Sequence, residues 1–266
     1  MPEKKINAYL VAAGMYHDID FARQEILKLL LELPNVRTKV ASDFHDIEAI
    51  RKSDFLITYT CNLMPEEQEQ IALKDYIANG GKWFALHGTN SILEFTADGV
   101  DAPETAPILM ELLGSQFMAH PPIQLFTVKT EANDHALVKD IGEFETDDEQ
   151  YLCKMHGDNE LLMYSDYSGT CEGWINSDFT DNEKRAVYYI KRTGKGEVLY
   201  LNLGHCRGHW DMEPVAEYYP EIEKGSWEKP EYYELLRRGL RYCAHAIAGR
   251  RAAAARRLVV RRRVLF

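Results

Sequence analysis

Three histidines directly follow apolar runs of the type that form buried strands. His17 follows "NAYLVAAG", His87 follows "WFAL" and His205 follows "VLYLNLG". Ligands of an open parallel sheet bind beyond the carboxyl ends of its strands. We therefore expect the three side chains to meet at one rim of the sheet and to form a single site.

An imidazole with a pKa near 6.5 suits proton transfer at neutral pH. We assign His87 and His205 as catalytic acid/base residues, and Glu149 in "FETDDEQYL" as a group that orients or assists them. Glu149 and Tyr151, two residues apart, share one side of an extended segment. The residues expected to contact the substrate are His17, Asp18, Thr89, Asn90, His120, Tyr151 and Trp210.

Each of these positions also has a plain structural interpretation. A loop histidine can simply bond to backbone, and His120 before two prolines can belong to a rigid turn. Trp210 offers a flat apolar face to a sugar ring, or packs within its loop. In "LNLGHCRGHWD", Gly204 and Gly208 bracket the loop, so a helix with two stacked histidines, as in H-E-x-x-H proteases, is not expected.

Three neutral imidazoles together with a carboxylate also suit zinc or a similar divalent ion. The residues concerned are far apart in sequence, so their spacing leaves both a metal site and a metal-free site open. No other cofactor is indicated.

Composition excludes several classes of partner. The chain has 31 Lys and Arg against 42 Asp and Glu, a formal net charge of −11, so a nucleic-acid footprint is not expected. No apolar run approaches the roughly 18 to 20 residues of a membrane span, so no membrane association is expected. Five cysteines without a C-x-x-C pair favour reduced thiols in the cytoplasm. Homo-oligomerisation stays open.

Strands and helices alternate over the first half of the chain, which predicts an α/β fold with a mostly parallel sheet. Helices are predicted from Asp18 or Asp20 to Pro34 and from Pro65 to "NGG". Later strands add to the sheet, with "RTGKG" as a hairpin turn, and a helix around Tyr233 to Ile247 closes the fold. We predict one domain over residues 1–249, followed by an Ala/Arg-rich tail at 250–266 that is not needed for the fold.

Five separated motifs resemble the ThuA-like family, named for trehalose utilisation. They are "GMYHD", "FALHGTN", "FMAHPPIQLFTV", "NDHALVKDIGEFETDDEQYL" and "RTGKGEVLYLNLGH", and the resemblance covers nearly all of residues 5–248. It implies a flavodoxin-like, class I glutamine amidotransferase-like three-layer sandwich. It also implies a role in the catabolism of disaccharides or other glycosides, often beside oxidoreductases that make keto-sugars.

Glutamine hydrolysis itself is not expected. Such an enzyme needs a cysteine at the tight strand-to-helix turn, and "ALHGTN" has His87 there. Cys61 follows a different strand, and Cys206 lies beside a histidine on a distant loop. We therefore expect histidine-based acid/base chemistry on a disaccharide, glycoside or keto-sugar, by an isomerase, lyase or hydrolase. A non-catalytic sugar-binding or regulatory module on the same fold is the alternative.

Overall fold

The computed structural model describes residues 5–245, which fold around one central sheet. The helices are α1 (Ile19–Leu31), α2 (Ile47–Lys52), α3 (Glu67–Ala78), α4 (Pro107–Leu113) and α5 (230–245). The strands are β1 (Ile6–Gly14), β2 (Val36–Ala41), β3 (Phe55–Cys61), β4 (Lys82–Leu86), β5 (Glu94–Thr96), β6 (Gly99–Asp101), β7 (Ser115–Ala119), β8 (Phe126–Thr130), β9 (Phe144–Thr146), β10 (Leu152–Met155), β11 (Glu160–Asp166), β12 (Gly169–Thr170), β13 (Asp178–Phe179), β14 (Lys184–Thr193) and β15 (Gly196–Leu201).

The central sheet has nine strands in the order β2-β1-β3-β4-β15-β14-β11-β8-β9. The first five in this order are parallel, so β1, β4 and β15 end at the same rim. The last four continue the sheet in antiparallel pairs. The predicted α/β fold with a mostly parallel sheet and added strand pairs is confirmed, and "RTGKG" forms the turn between β14 and β15.

Helices cover both faces of the sheet because side chains alternate along each strand. In β1, Leu10 joins one hydrophobic cluster with α1 and α5, whereas Tyr9 joins a second cluster with α3 and α4. β4 divides in the same way, with Phe84 facing the first cluster and Trp83 the second. The result is the three-layer sandwich that the resemblance implied.

Helices α1 and α3 begin where the sequence predicts them. The Asp18 carboxylate accepts a hydrogen bond from the Phe21 backbone N–H at 3.0 Å and caps α1. At the start of α3, the Glu69 carboxylate accepts from the Glu66 N–H at 2.8 Å. The 6-residue α2 and 7-residue α4 were not predicted, because such short helices show too little of the 3.6-residue period.

A two-stranded ribbon outside the central sheet supplies a second set of polar groups. β7 and β10 pair antiparallel, with Leu152 opposite Ala119. His120 directly follows β7 and Tyr151 directly precedes β10, so the ribbon places these two residues next to each other. The sequence did not predict this pairing.

Within residues 5–245, no helix is long and apolar enough to cross a bilayer. The predicted tail at 250–266, and Ile247 of the predicted closing helix, lie outside the described residues.

Candidate active site

The three strand-end histidines converge on Glu149. The Nε2 atoms of His17 and His87 lie 2.8 Å apart, and each is 3.5 Å from Glu149 Oε2. His205 Nδ1 lies 3.2 Å from Glu149 Oε1. One ligand-type atom from each of these four buried residues lies within 4.8 Å of the others, a spacing that a single metal ion could bridge.

His87 occupies the sharp turn that follows β4. Its φ of +46° is in the left-handed region, which is strained for a residue with a side chain and typical of an elbow that presents a functional group. A Cβ on the next residue, Gly88, would lie 2.8 Å from the Thr60 carbonyl oxygen, so glycine permits the close approach to β3. His87 Nδ1 donates to the Asn202 carbonyl at 2.9 Å, which fixes the ring.

Backbone geometry also positions the other two rings. Gly14 ends β1 with a φ of +122°, and a Cβ there would lie 1.9 Å from the Cys61 carbonyl oxygen. His17, three residues on, donates through Nδ1 to the Met15 carbonyl at 3.2 Å. His205 follows β15 and donates through Nε2 to Glu223 at 2.7 Å.

Asp148 fixes the position of the loop that contains His205. Its buried carboxylate accepts backbone hydrogen bonds from Gly204 at 2.9 Å, His205 at 3.1 Å and Ser226 at 2.9 Å. It also accepts from the N–H of Glu149, its neighbour in sequence, at 2.8 Å. One carboxylate therefore fixes the position of Glu149 relative to His205.

Arg207 ties the two acidic residues of the site together. Its Nη2 donates to Glu149 Oε1 at 3.1 Å and its Nη1 donates to Glu223 Oε2 at 2.8 Å. Its Nε donates to the Tyr16 carbonyl at 3.0 Å. Because the guanidinium is planar and rigid, these bonds fix the positions of the two carboxylates relative to each other.

Burial and mutual charge set the protonation of the cluster. Burial lowers the pKa of His17 to about 3, which keeps this ring neutral. Burial also opposes the charged form of His205, but Glu149 and Glu223 outweigh it and raise the pKa to about 9. Burial disfavours ionised Glu149, yet the neighbouring imidazoles hold its pKa well below the usual range. Without a bound ion, the His17 ring is therefore neutral and the His205 ring is charged.

A cavity of about 220 Å³ opens onto this cluster. Its polar lining includes His17, Glu149, Arg207, His120 and Tyr151. His120 donates through Nδ1 to the Pro121 carbonyl at 2.7 Å, and its Nε2 lies 3.5 Å from Glu149 Oε1. The walls are largely apolar and comprise Tyr16, Cys61, Leu93, Phe95, Val100, Phe117, Trp174 and Met212, with Ser91 among them.

The predicted substrate contacts divide into two groups. His17, His120 and Tyr151 line the cavity, and the Tyr151 hydroxyl lies 3.2 Å from His87 Nε2. The other predicted contacts are not among the residues that line it, and they have partners or positions elsewhere. Thr89 donates to the Leu86 carbonyl, Asn90 donates to Ser115 Oγ, Asp18 caps α1 and Trp210 is 65% exposed.

Several residues of the site were not found from the sequence. Asp148 and Arg207 bind the predicted groups directly, Glu223 bonds to His205, and Trp174 lines the cavity. Asp148 is adjacent to the predicted Glu149 in "DDEQYL", and Arg207 lies two residues after the predicted His205 in "HCRGH", which was the available signal. Glu223 and Trp174 lie in loops where no periodic pattern marks a buried side chain.

The thiols near the site are poorly suited to nucleophilic attack. Cys61 lines the cavity, but burial raises the pKa of its thiol well above the ordinary value. Burial also raises the pKa of Cys206 to about 12, and its Sγ lies 3.2 Å from the Tyr59 hydroxyl. Nucleophilic cysteines are instead those whose pKa is lowered.

The sheet order, the helices on both faces and the elbow at His87 define a class I glutamine amidotransferase-like α/β protein with histidine at the elbow. Residues 9–219 match the ThuA family, described as trehalose utilisation. The chain belongs to this family, and its membership supports a role related to trehalose utilisation.

Solved structures have the same fold. A ThuA-like protein from Bacteroides uniformis is 18% identical, with a TM-score of 0.63 over 91% of this chain and 93% of its own. One from Parabacteroides merdae is 13% identical, with a TM-score of 0.63 over 91% and 90%. A GMP synthase component from Thermoplasma acidophilum is 13% identical, with a TM-score of 0.52 over 94% and 99%. A search of curated proteins gave no significant match.

Proposed function

We propose that this chain is an enzyme of carbohydrate catabolism that acts on the keto-sugar form of a disaccharide or other glycoside. The observation that supports this most strongly is the convergence of His17, His87, His205 and Glu149 beside a largely apolar cavity. His17 and Glu149 line the cavity, and the buried His87 and His205 lie behind them. Perturbed ionisable groups gathered in a concave pocket are the usual mark of an active site.

The size and walls of the cavity favour a sugar ring. Its volume of about 220 Å³ lies below the roughly 300 to 1,000 Å³ of pockets for drug-sized ligands, so a single ring fits better than a whole disaccharide. Phe117 and Trp174, whose ring centroids lie 5.1 Å apart, offer apolar faces to the C–H groups of such a ring.

The ionisable groups favour a keto-sugar over an unmodified glycoside. Most glycosidases use two carboxyl groups that flank the scissile bond. Among the described residues, Glu149 is the one carboxylate that lines the cavity. A keto group instead acidifies the hydrogen on the adjacent carbon, so histidine-based proton transfer suffices for isomerisation or elimination. His87 and His205 are the proposed acid/base groups, and Glu149 orients them.

The test is incubation with matched pairs of glycosides and their 3-keto derivatives, followed by mass spectrometry, with and without chelator. We expect conversion of at least one keto derivative and none of the matching unoxidised glycosides. A keto derivative that binds but remains unchanged after long incubation would instead identify the chain as a non-catalytic sugar-binding module.

Two tryptophans provide a matched pair of variants for the same assay. Trp174→Ala removes a cavity wall and should raise KM for the converted sugar by about 10-fold, since a stacked aromatic contact is lost. Trp210→Ala removes a side chain that is 65% exposed and outside the cavity lining, and should leave KM within about 2-fold.

A further inference from the structure

We infer that His17, His87, His205 and Glu149 bind one divalent transition-metal ion at the floor of the cavity. The inference concerns the ion alone and holds whatever sugar the cavity accepts.

Hydrogen bonds on the outer side of each ring orient the nitrogen on its inner side. His17 and His87 each donate through Nδ1 to a backbone carbonyl, and His205 donates through Nε2 to Glu223. In a neutral imidazole the other nitrogen then presents a lone pair. This is the arrangement found around metal-binding histidines, whose second ring nitrogen bonds to a carbonyl or a carboxylate.

The ring nitrogens that face the centre of the cluster have too few hydrogen-bond donors around them. The two Nε2 atoms of His17 and His87 lie 2.8 Å apart, and two acceptors at that distance repel unless a cation lies between or beside them. His205 Nδ1 is buried and faces Glu149 Oε1 at 3.2 Å. A proton joins this nitrogen to the carboxylate in the metal-free protein, and a metal ion would take the place of that proton. The Tyr151 hydroxyl, 3.2 Å from His87 Nε2, is a single donor for several acceptors. A metal ion would satisfy all of these acceptors at once.

The spacing of the four groups matches the coordination sphere of one ion. With metal–ligand bonds of about 2.0 to 2.1 Å, neighbouring ligands around a tetrahedral ion lie about 3.3 Å apart. The distances from Glu149 oxygens to the rings are 3.5 Å, 3.5 Å and 3.2 Å, and the distance between His17 and His87 is 2.8 Å. The four ligand atoms lie within 4.8 Å of one another, so the most separated pair must move closer together when the ion binds.

Charge and ligand type specify the kind of ion. Two carboxylates, the buried Glu149 and the partly buried Glu223, face one guanidinium, Arg207, so the site has an excess of negative charge when the rings are neutral. Nitrogen ligands with one carboxylate suit Zn²⁺ and its transition-metal neighbours, whereas Ca²⁺ and Mg²⁺ prefer oxygen. Four protein ligands fill a tetrahedral sphere, so a substrate would reach the ion as a fifth ligand from the cavity side, where His17 and Glu149 form the lining.

Such an ion would polarise the carbonyl oxygen of a bound sugar. The three ring ligands would then position the ion, and proton transfer would pass to His120 and Tyr151, which line the cavity without belonging to the ligand set. The ion thus changes the role of His87 and His205 from acid/base groups to ligands.

The test measures the ion directly, without any sugar. Chelator-treated protein is titrated with ZnCl₂ by calorimetry, and bound zinc is counted by elemental analysis after gel filtration. We expect one equivalent of zinc, and a visible absorption band when Co²⁺ replaces it. Glu149→Gln and His17→Ala should each weaken zinc binding by about 100-fold or more, since each removes a ligand.

His45→Ala is the matched control, because His45 is exposed, pairs with Glu69 at 2.6 Å and lies outside the cavity lining. This variant should bind zinc like the parent protein. Circular dichroism of each metal-free variant separates loss of a ligand from loss of the fold, and Glu149→Gln conserves side-chain shape. Parent protein that takes up no zinc, or folded ligand variants that bind it unchanged, would overturn the inference. Zinc binding without sugar conversion would leave the ion site intact and count only against the proposed function.

Discussion

The residue at the elbow determines what chemistry this fold can perform. His87 has the positive φ of a nucleophile elbow, but an imidazole replaces the thiol that amide hydrolysis requires. Its ring is fully buried, with Nδ1 bonded to the Asn202 carbonyl and Nε2 facing His17 and Glu149. A ring held on both sides is suited to binding an ion or relaying a proton, and not to attacking a substrate carbon.

The thiols should prove dispensable for catalysis. Cys61→Ser and Cys206→Ser should each leave kcat/KM for the converted sugar within a few-fold of the parent value, because burial raises the pKa of both thiols and keeps them protonated. Steady-state kinetics of each variant, alongside its melting temperature, checks this. A collapse of kcat in a variant that remains folded would revive nucleophilic catalysis.

His87 and His205 should behave as one functional unit. His87→Ala and His205→Ala should each lower kcat by about 10²-fold, whether the ring transfers a proton or holds an ion. Because both rings act through Glu149, the double variant should be little worse than either single variant. The kcat values of the parent, the two single variants and the double variant together measure the coupling between the two rings.

His45→Ala and His245→Ala serve as controls for this cycle, since both histidines are exposed and outside the cavity lining. Each should retain the parent's kcat. Losses that simply multiply in the double variant, or controls as damaged as the site variants, would contradict a shared site.

At the scale of elements, the sequence predicts the strand-end histidines but not the ribbon that completes the site. His17, His87 and His205 follow β1, β4 and β15, and parallel strands bring their carboxyl ends to one rim. The β7/β10 pairing joins segments more than thirty residues apart, and no local period reveals such a contact.

The same limit explains which site residues were identified. The sequence identifies Glu149 because it shares one side of an extended segment with Tyr151, two residues on, whereas its neighbour Asp148 has the pattern of a solvated acidic run. Asp148 is buried because three backbone N–H groups from two distant loops converge on it. Trp210 and Trp174 could not be ranked from sequence, since exposure in a loop depends on tertiary packing.

The Asp148 carboxylate should stabilise both the fold and the loop that contains His205. Asp148→Asn replaces a charged acceptor by an amide and should destabilise the fold by about 2 to 3 kcal/mol, the range for hydrogen bonds to charged groups. It should also reduce zinc binding, because the His205 loop is no longer fixed. Urea denaturation and zinc titration measure the two effects.

Asp147→Asn is the matched control, one residue earlier and exposed. It should change the free energy of unfolding by less than about 0.5 kcal/mol. Equal effects of the two variants would show that Asp148 has no special supporting role.

At the scale of the whole molecule, the hydrophobic core closes before the basic tail begins. Within α5, Tyr232, Leu236 and Leu240 are buried against the sheet in the cluster that also contains α1. A chain truncated after Gly249 should therefore keep its melting temperature to within about 2 °C. Differential scanning calorimetry of the truncated and full-length chains checks this. A large drop would show that residues 250–266 stabilise the body.

The stability of the metal-free protein should pass through a maximum near neutral pH. Burial lowers the pKa of His17 to about 3, so below about pH 6.5 only the unfolded chain takes up this proton, and the free energy of unfolding decreases. Burial opposes the charged form of His205, but Glu149 and Glu223 raise its pKa to about 9. The stability that this charge contributes is fully present below about pH 6.5 and is lost as the pH rises toward 9.

Each of these two histidines changes the free energy of unfolding by up to about 1.4 kcal/mol per pH unit, so both limbs should be measurable by urea denaturation in chelator from about pH 4 to about pH 10. The depressed pKa of Glu149 steepens the acid limb, because its contribution is present above about pH 4.3 and lost as the pH falls further. His205→Gln should remove the alkaline limb and keep the acid limb, whereas His245→Ala should keep both. Stability that continues to rise toward pH 9 in the parent would mean that the His205 ring is neutral in the fold, and that Glu149 is balanced by Arg207 alone.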